Sequence, residues 1–509
     1  MQTTLFMVRL QVFLQPFLIM YRHCEVRSKK KKKKFIVIFL LLPIQLLAQQ
    51  VQYASKVLKY STDLGGKQNS VKRIVGKPDA FPQGGPSPNA WVSKDALGNA
   101  FVEVEFEKAQ AVKQIAIFEN LNAGCVTKVL VADATGKFRK VIKKQSGFVR
   151  WFNSWQAGAN PDRAYYFNKK RRKIEKAVDV SHNADIEYVM LEAPEENVKM
   201  VRVEFNFSLK PGQKQIDAIA ISDSDEPIQP IISLIAGAEQ LSNPEKIIYA
   251  PSQDYDLSNI LVHENKLYYT VSLYERAGEI HAVDLLNPKE IVDVTQKFRN
   301  DKKLNYILGF SPETKTMLMG SENKWRRGGE NLGFDFFNWE NDTFSYKKPL
   351  RVLGYNNYGD YADVFLAKDH KRILFGIESD LTQGGYDIYF TEPKDENTFG
   401  LLQNVGKNIN TAADETNAFL LSDNKTLIFT SNGYSGYGDF DIYVSTRLDD
   451  TWKNWSEPKN LGPKVNGQSF DTHPFYDEKT ETLYYVSFRD GSSVINKIKI
   501  PLLSLVSQK

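Results

Sequence analysis

The chain has 509 residues, with 66 Lys and Arg against 61 Asp and Glu, a formal net charge of +5. That excess of positive charge is no sign of a nucleic-acid partner, because it sits in residues 1–48, where nine cationic side chains face Glu25 alone; the other 461 residues carry a net −3. So long a chain exceeds one hydrophobic core and divides into two or three domains, and its two cysteines, Cys24 and Cys125, are too few for a disulfide framework.

The first element is a leader. Lysines 29–34 run straight into Phe35-Ile-Val-Ile-Phe-Leu-Leu-Leu-Pro-Ile-Gln-Leu-Leu-Ala48, a basic region, an apolar core and a small residue at the cut. The apolar run is short of the roughly 20 residues of a spanning helix. Pro43 and Gln45 interrupt it, so a secretory signal cleaved after Ala48 is expected. A second apolar patch at 12–20 precedes the lysines and places the expected start of translation at Met20. No Cys follows the core, so a lipid anchor is not indicated. Cys24 leaves with the signal, Cys125 stands alone, and no internal disulfide is expected.

From 49 to 226 the pattern is of short strands. Phe101-Val-Glu-Val-Glu-Phe106 alternates as a half-buried strand does, and 112–118, 126–131, 199–207 and 217–222 read alike. Such a series predicts an all-β sandwich or jelly roll. Residues 76–91 hold too much Pro and Gly for regular structure and form a shaped loop, with Trp91 turning back into the core. The order of Gly76-Lys-Pro-Asp79, Trp91, the strand at 102–106, Ile115-Ala-Ile-Phe-Glu119 and Ile216-Asp-Ala-Ile219 resembles the discoidin-like (galactose-binding-like) sandwich. That resemblance covers about 170 residues and implies glycan or surface-ligand binding through loops at one end.

An insert at 136–192 departs from that pattern. It carries Arg150, Trp151, Trp155, Tyr165 and Tyr166, followed by Lys169-Lys-Arg-Arg-Lys173. Aromatic and cationic side chains in one loop can stack on sugar rings and attract acidic groups, which makes those five residues the candidate ligand site. The alternative is that the aromatics pack the insert onto the sandwich and the basic run is a solvated face.

Asp223-Ser-Asp-Glu-Pro-Ile-Gln-Pro230 marks a boundary, and 227–240 reads as a linker that few contacts should bridge. Its acids lack the Gly and later Glu of a calcium loop. Beyond it, 241–509 is repetitive. Phe365-Leu-Ala-Lys-Asp-His-Lys-Arg-Ile-Leu-Phe375 matches Phe419-Leu-Leu-Ser-Asp-Asn-Lys-Thr-Leu-Ile-Phe429, and Tyr386-Asp-Ile-Tyr389 matches Phe440-Asp-Ile-Tyr443, all at an offset of 54. Further copies lie at 475–487, 310–319 and 261–269. Each reads as strand, Asp-x-Lys turn, strand, Gly-rich loop, strand, which is the make-up of a propeller blade. Five or six blades are expected, with Lys246-Ile-Ile-Tyr249 completing the last.

The module F-L-x-x-D-x-K-x-L-x-F…D-I-Y, strongest at 361–390 and 415–444, resembles the TolB-like branch of WD-type propellers found in exported proteins of the OmpA family. The resemblance implies protein contacts in the periplasm or at the outer membrane. No OmpA-like tail is legible after the last repeat, so peptidoglycan anchoring is not carried over.

Catalytic signatures are wanting. The histidines after the leader, His182, His263, His281, His370 and His473, show no metal spacing, no nucleophile elbow or phosphate loop occurs, and no cofactor is expected. Asp387 and Asp441 recur in register and are read as structural, since a catalytic residue is normally single. His473 is the exception, because its place at a blade start near Asp471 can face the channel, but a satisfied surface or core histidine is the expected reading. The expectation is an exported, non-enzymatic binding or scaffold protein whose partners are envelope proteins or a cell-surface glycan. The alternative is a glycan-processing hydrolase with carboxylates in the propeller funnel.

Overall fold

The computed structural model describes residues 49–141, 165–168, 173–176, 184–273, 278–298, 306–320, 333–340 and 343–506. The leader lies outside them.

The N-terminal body is one eight-stranded antiparallel sheet built of β1 (Val51–Tyr53), β2 (Lys56–Tyr60), β3 (Trp91–Val92), β4 (Asn99–Leu121), β5 (Val126–Ala132), β6 (Arg139–Lys140), β9 (Asp185–Asn206) and β10 (Gln215–Ser222), with β7 (Tyr165–Asn168) and β8 (Lys173–Lys176) as a separate hairpin. The sheet runs β1-β10-β4-β9-β5-β6, with β2 on β4 and β3 on β10, while β7 and β8 pair only with each other. The strands expected at 101–106 and 112–118 are one element, β4. Between them the β4–β9 register slips three times, at 105/110, 110/112 and 112/114. Such bulges bend a strand. Valines 102 and 104 from one half of β4 and Ile115 and Ile117 from the other then share a single core with Val203, Phe205 and Ile219. Trp91 lies in that core, 1% exposed, against Phe205 and Phe207 at 5.8 and 6.2 Å. Cys125 is buried and free.

One boundary needs correction. Residues 185–192, assigned from sequence to the insert, are the first part of β9 and pair with β4. The Glu-Ala-Pro-Glu-Glu run at 192–196 reads as a loop, but it falls where β9 bulges, a position where a sheet accepts proline.

The C-terminal body is a five-bladed β-propeller, each blade a four-stranded antiparallel sheet. The inner strands are Tyr255–His263, Tyr306–Ser311, Asp363–Leu366, Glu415–Leu420 and Asp471–Asp477, in blades 1 to 5. The outermost strand of blade 5 is Glu245–Tyr249, which comes from before blade 1 and pairs with Ser492–Lys499, as expected of the stretch around Lys246. The Asp-x-Lys turns are Asx turns: Asp369, Asp423 and Asp477 accept from the backbone N–H of Lys371, Lys425 and Lys479 at 2.9, 2.8 and 3.1 Å. Gly384 and Gly438, 54 apart, lie where a loop meets the backbone before the next blade, and a Cβ there would fall within 2.3 and 2.2 Å of backbone atoms of Ala412 and Ser469.

The linker at 227–240 is docked at both ends. Ile228 donates to Gln114 Oε1 at 2.9 Å and accepts from Tyr188 at 2.6 Å, while Ile235 donates to the Asn460 carbonyl at 3.0 Å.

Phe375, Phe429 and Tyr485 occupy matching places in three blades and are all but fully buried. Phe429→Ala should cost about 3–5 kcal/mol, read as a lower midpoint in denaturant; near-wild-type stability would show the ring to be dispensable.

Candidate functional site

Two kinds of polar residue face one another in the propeller, and their hydrogen bonds tell them apart. The first kind repeats. Asp387 accepts from the N–H of Gln383 (2.8 Å) and Gly384 (3.3 Å) and from Asn404 (2.7 Å); Asp441 accepts from Tyr437 (2.5 Å), Gly438 (3.0 Å) and Asn460 (2.8 Å). Asn410 and Asn466 then clamp the backbone of Ile388 and Ile442. At the start of the inner strands Glu415 accepts from Thr411 N and Ser431 Oγ, and Asp471 accepts from Gly467 N and Ser487 Oγ. Burial pushes these acids up, Glu415 to about 8, Asp441 to about 7 and Asp387 to about 6. Their oxygens are spent on their own loops, which is the structural role read for Asp387 and Asp441.

The second kind does not repeat. Two residues before the ring-lining Leu261, Phe310, Phe365, Phe419 and Phe475 stand Asn259, Leu308, Asp363, Asn417 and His473, one per blade. All line a half-enclosed cavity of about 100 Å³ in the central channel. In four blades the inner strand bulges here. The bulge holds Asn259, Asn417 and His473 at φ of 51°, 47° and 50°, with Gly309 at 147°. A non-glycine residue rarely adopts that conformation, and a bulge re-aims a side chain out of the sheet's alternation.

The polar members are linked. His473 N–H donates to Asn417 Oδ1 at 3.3 Å, Thr430 donates to the same oxygen at 3.2 Å, and Asn417 donates to Asp363 through its backbone and side-chain amides. Burial lifts Asp363 to about 7 in spite of those bonds and lowers His473 to about 4, so at neutral pH the imidazole is uncharged. His473 Nδ1 lies 3.1 Å from Thr472 Oγ1, and neither its Nε2 nor the Asn259 amide makes a hydrogen bond among the described residues, while both side chains line the cavity. Lys368 at the rim is spent on Glu478 at 2.6 Å. The floor is aromatic, with Phe419 centred 4.8 Å from Phe365 and 5.2 Å from Phe475.

The N-terminal body meets the propeller through the loop at 76–91. Two motifs distant in sequence fix that loop. Asp217 accepts from the backbone of Asp79 (3.3 Å) and Ala80 (3.0 Å), its carboxyl lies beside that of Asp79, and burial raises both acids. Beyond it, Asn89 donates to the Gly433 carbonyl at 2.7 Å and accepts from Ala412 N–H at 2.9 Å, both buried; Ser435 donates to Pro78 at 2.8 Å, and Lys77 pairs with Glu457 at 2.8 Å. Contacts between the bodies are therefore more numerous than the polar linker implies, because they run through a loop rather than the linker.

Of the sequence-derived site, Arg150, Trp151 and Trp155 lie outside the described residues, and Tyr165 and Tyr166 are described only as backbone of β7. His473, expected to be an ordinary surface or core histidine, lines the channel cavity. Asn259, Asp363 and Asn417 were missed. Their signal is a column that varies between blades inside a repeat that is otherwise constant. Among the described residues no group of His, Cys, Asp and Glu is placed to hold a metal.

No family model matches the chain, and no curated protein matches it in sequence. Fold and site together define a five-bladed β-propeller protein. Solved structures similar to it include an endo-arabinase from Bacteroides thetaiotaomicron VPI-5482 (15% identity, TM-score 0.34, 51% of this chain and 97% of that one). An α-L-arabinofuranosidase from Lactobacillus brevis (12%, 0.32, 49% and 92%) and the β-propeller domain of the Trilobed protease from Pyrococcus furiosus (11%, 0.25, 48% and 82%) are others. At these identities the likeness concerns the fold alone.

Two outcomes check this geometry. Asn89→Ala orphans a buried carbonyl and N–H, at about 1–3 kcal/mol each, and should part the melting of the two bodies in calorimetry; an unchanged single transition would deny the loop its role. For Asp363 the stability contributed by its neutral form is fully present below its ordinary value of 3.8 and lost as pH rises to about 7. Asp363→Asn should therefore gain stability over wild type between pH 5 and pH 8, by on the order of 1–2 kcal/mol after allowance for water in the channel. A pH-independent difference would place the carboxyl in solvent.

Proposed function

We propose that this is an exported, non-enzymatic binding or scaffolding protein of the cell envelope, a TolB-like propeller joined to a discoidin-like sandwich, whose channel takes a small polar group of its partner. The observation that carries the reading is the division between repeated and unrepeated polar residues. Repeated acids hold the blades together, while Asn259, Asp363, Asn417 and His473 vary by blade and converge on one cavity. A residue that serves the fold recurs with the fold; one that serves a ligand need not.

The leader supports export, and the docking of the 76–91 loop supports a receptor in which both bodies move as one. The glycan-binding role proposed for Arg150, Trp151, Trp155, Tyr165 and Tyr166 belongs to the same reading. A hydrolase needs two carboxyl groups roughly 5–10 Å apart at the bond it cleaves. Asp363, with its raised pKa, is suited to be one of them, and it is the only carboxylate among the described residues that line the cavity.

Immobilised 49–509 should capture the same envelope component, protein or glycan, from repeated extracts, and the pair Asn259→Ala and His473→Ala should lose it at unchanged melting temperature. Retention by the double variant would remove the channel from the function. Release of reducing sugar from envelope polysaccharide, abolished by Asp363→Asn, would establish the hydrolase instead.

A further inference from the structure

The channel cavity carries its own description of a ligand, and the argument rests on the reading of that cavity as the binding site. Its floor is apolar, made by Leu261, Phe310, Phe365, Phe419 and Phe475, one residue from each blade. On this floor stands a polar ring whose members both donate and accept. The Asn259 amide offers two donors and an acceptor, none used among the described residues; His473 offers Nε2; and Asp363 offers a carboxyl already receiving bonds from Asn417.

Charge narrows the class. An anion needs a free cation or a cluster of donors, but Lys368 is committed to Glu478 at 2.6 Å and His473 is neutral. A cation needs acceptors without competing donors, whereas the Asn259 amide and His473 present donors as well. A hydroxyl is donor and acceptor at once and is matched by such a ring. Size sets the last limit: about 100 Å³ is somewhat less than the roughly 150 Å³ cavity that holds a benzene ring, so one small ring enters in part and the rest of the ligand stays outside.

We infer that the propeller channel binds the terminal, uncharged sugar unit of a glycan, with the apolar face of the sugar on the phenylalanine floor and its hydroxyls on Asn259, Asp363 and His473. An indifferent hydrophobic cavity would not need the αL backbone at Asn259 and His473, a conformation that side chains with a β-carbon adopt only against a steric cost. Blades bulged at these residues bring hydrogen-bonding groups to the cavity that have no partner inside the fold.

The test is saturation-transfer NMR and calorimetric titration of the 49–509 protein with arabinose, xylose, galactose, glucose and mannose, beside galacturonate, glucosamine and free asparagine. At least one neutral sugar is expected to bind in the millimolar range. Asn259→Ala and His473→Ala should each weaken it about tenfold, the equivalent of one hydrogen bond at about 1.4 kcal/mol, at unchanged melting temperature. Equal binding by the variants overturns the inference, as does preference for galacturonate or glucosamine. Binding of asparagine alone also overturns it and assigns the cavity to a polar side chain of a protein. If no sugar binds while the double variant still loses its envelope partner, the inference falls and the channel remains the site; if the partner is kept as well, both fall.

Discussion

Closure of the ring is the constraint on which the rest of the propeller depends. A four-stranded blade buries its faces only between two neighbours, so an open row of blades leaves two apolar faces in water. Here the gap is closed by Glu245–Tyr249, which enters as the outermost strand of the last blade and pairs with Ser492–Lys499. The segment before blade 1 is thereby held by the end of blade 5, some 250 residues later, and the five inner strands are brought around one axis. The channel follows from that closure. With five blades it is narrow, which is why single residues on the inner strands can meet across it.

Inside this frame buried charge is handled by repetition. Removing a carboxyl from water is expensive unless hydrogen bonds replace the lost hydration. The starts of blades 4 and 5 meet that cost in the same way, with a backbone N–H from the loop four residues earlier and a hydroxyl sixteen residues later, for Glu415 as for Asp471. Asp387 and Asp441 are compensated by their own Gly-rich loops and by an asparagine from the outer strand. These acids fix the loops at the end of the propeller where the other body docks. The channel column is different in kind, since its bonds run between blades, from His473 to Asn417 to Asp363, and part of its hydrogen-bonding capacity is unspent.

The two bodies are coupled by a loop whose shape is set far from where it acts. The Asp79–Asp217 pair pins the loop to the sheet, and Asn89 completes two buried bonds with the backbone of the propeller. The loop covers the ends of blades 3 and 4.

Much of this was legible in the amino-acid sequence, for physical reasons. Strand alternation at 101–106, the 54-residue offset and the Asp-x-Lys turns are local or periodic signals, and they determined an all-β chain, the blades, their buried aromatics and the strand around Lys246 that completes the ring. The recurrence of Asp387 and Asp441 was enough to read them as structural, while the position of His473 near a blade start only raised the channel as an alternative to a surface or core site. Asn259, Asp363 and Asn417 were not legible, because in sequence each is one polar residue in an apolar strand. Only the bulges and the closure of five strands around an axis place them in one cavity with His473. The docking of the 76–91 loop was equally hidden. Asp79 and Asp217 are 138 residues apart, Asn89 and Ala412 are 323 apart, and a hydrogen bond between residues so distant leaves no period in the sequence: the bonds of Asn89 exist only once both bodies have folded and brought its side-chain amide within 3 Å of the propeller backbone.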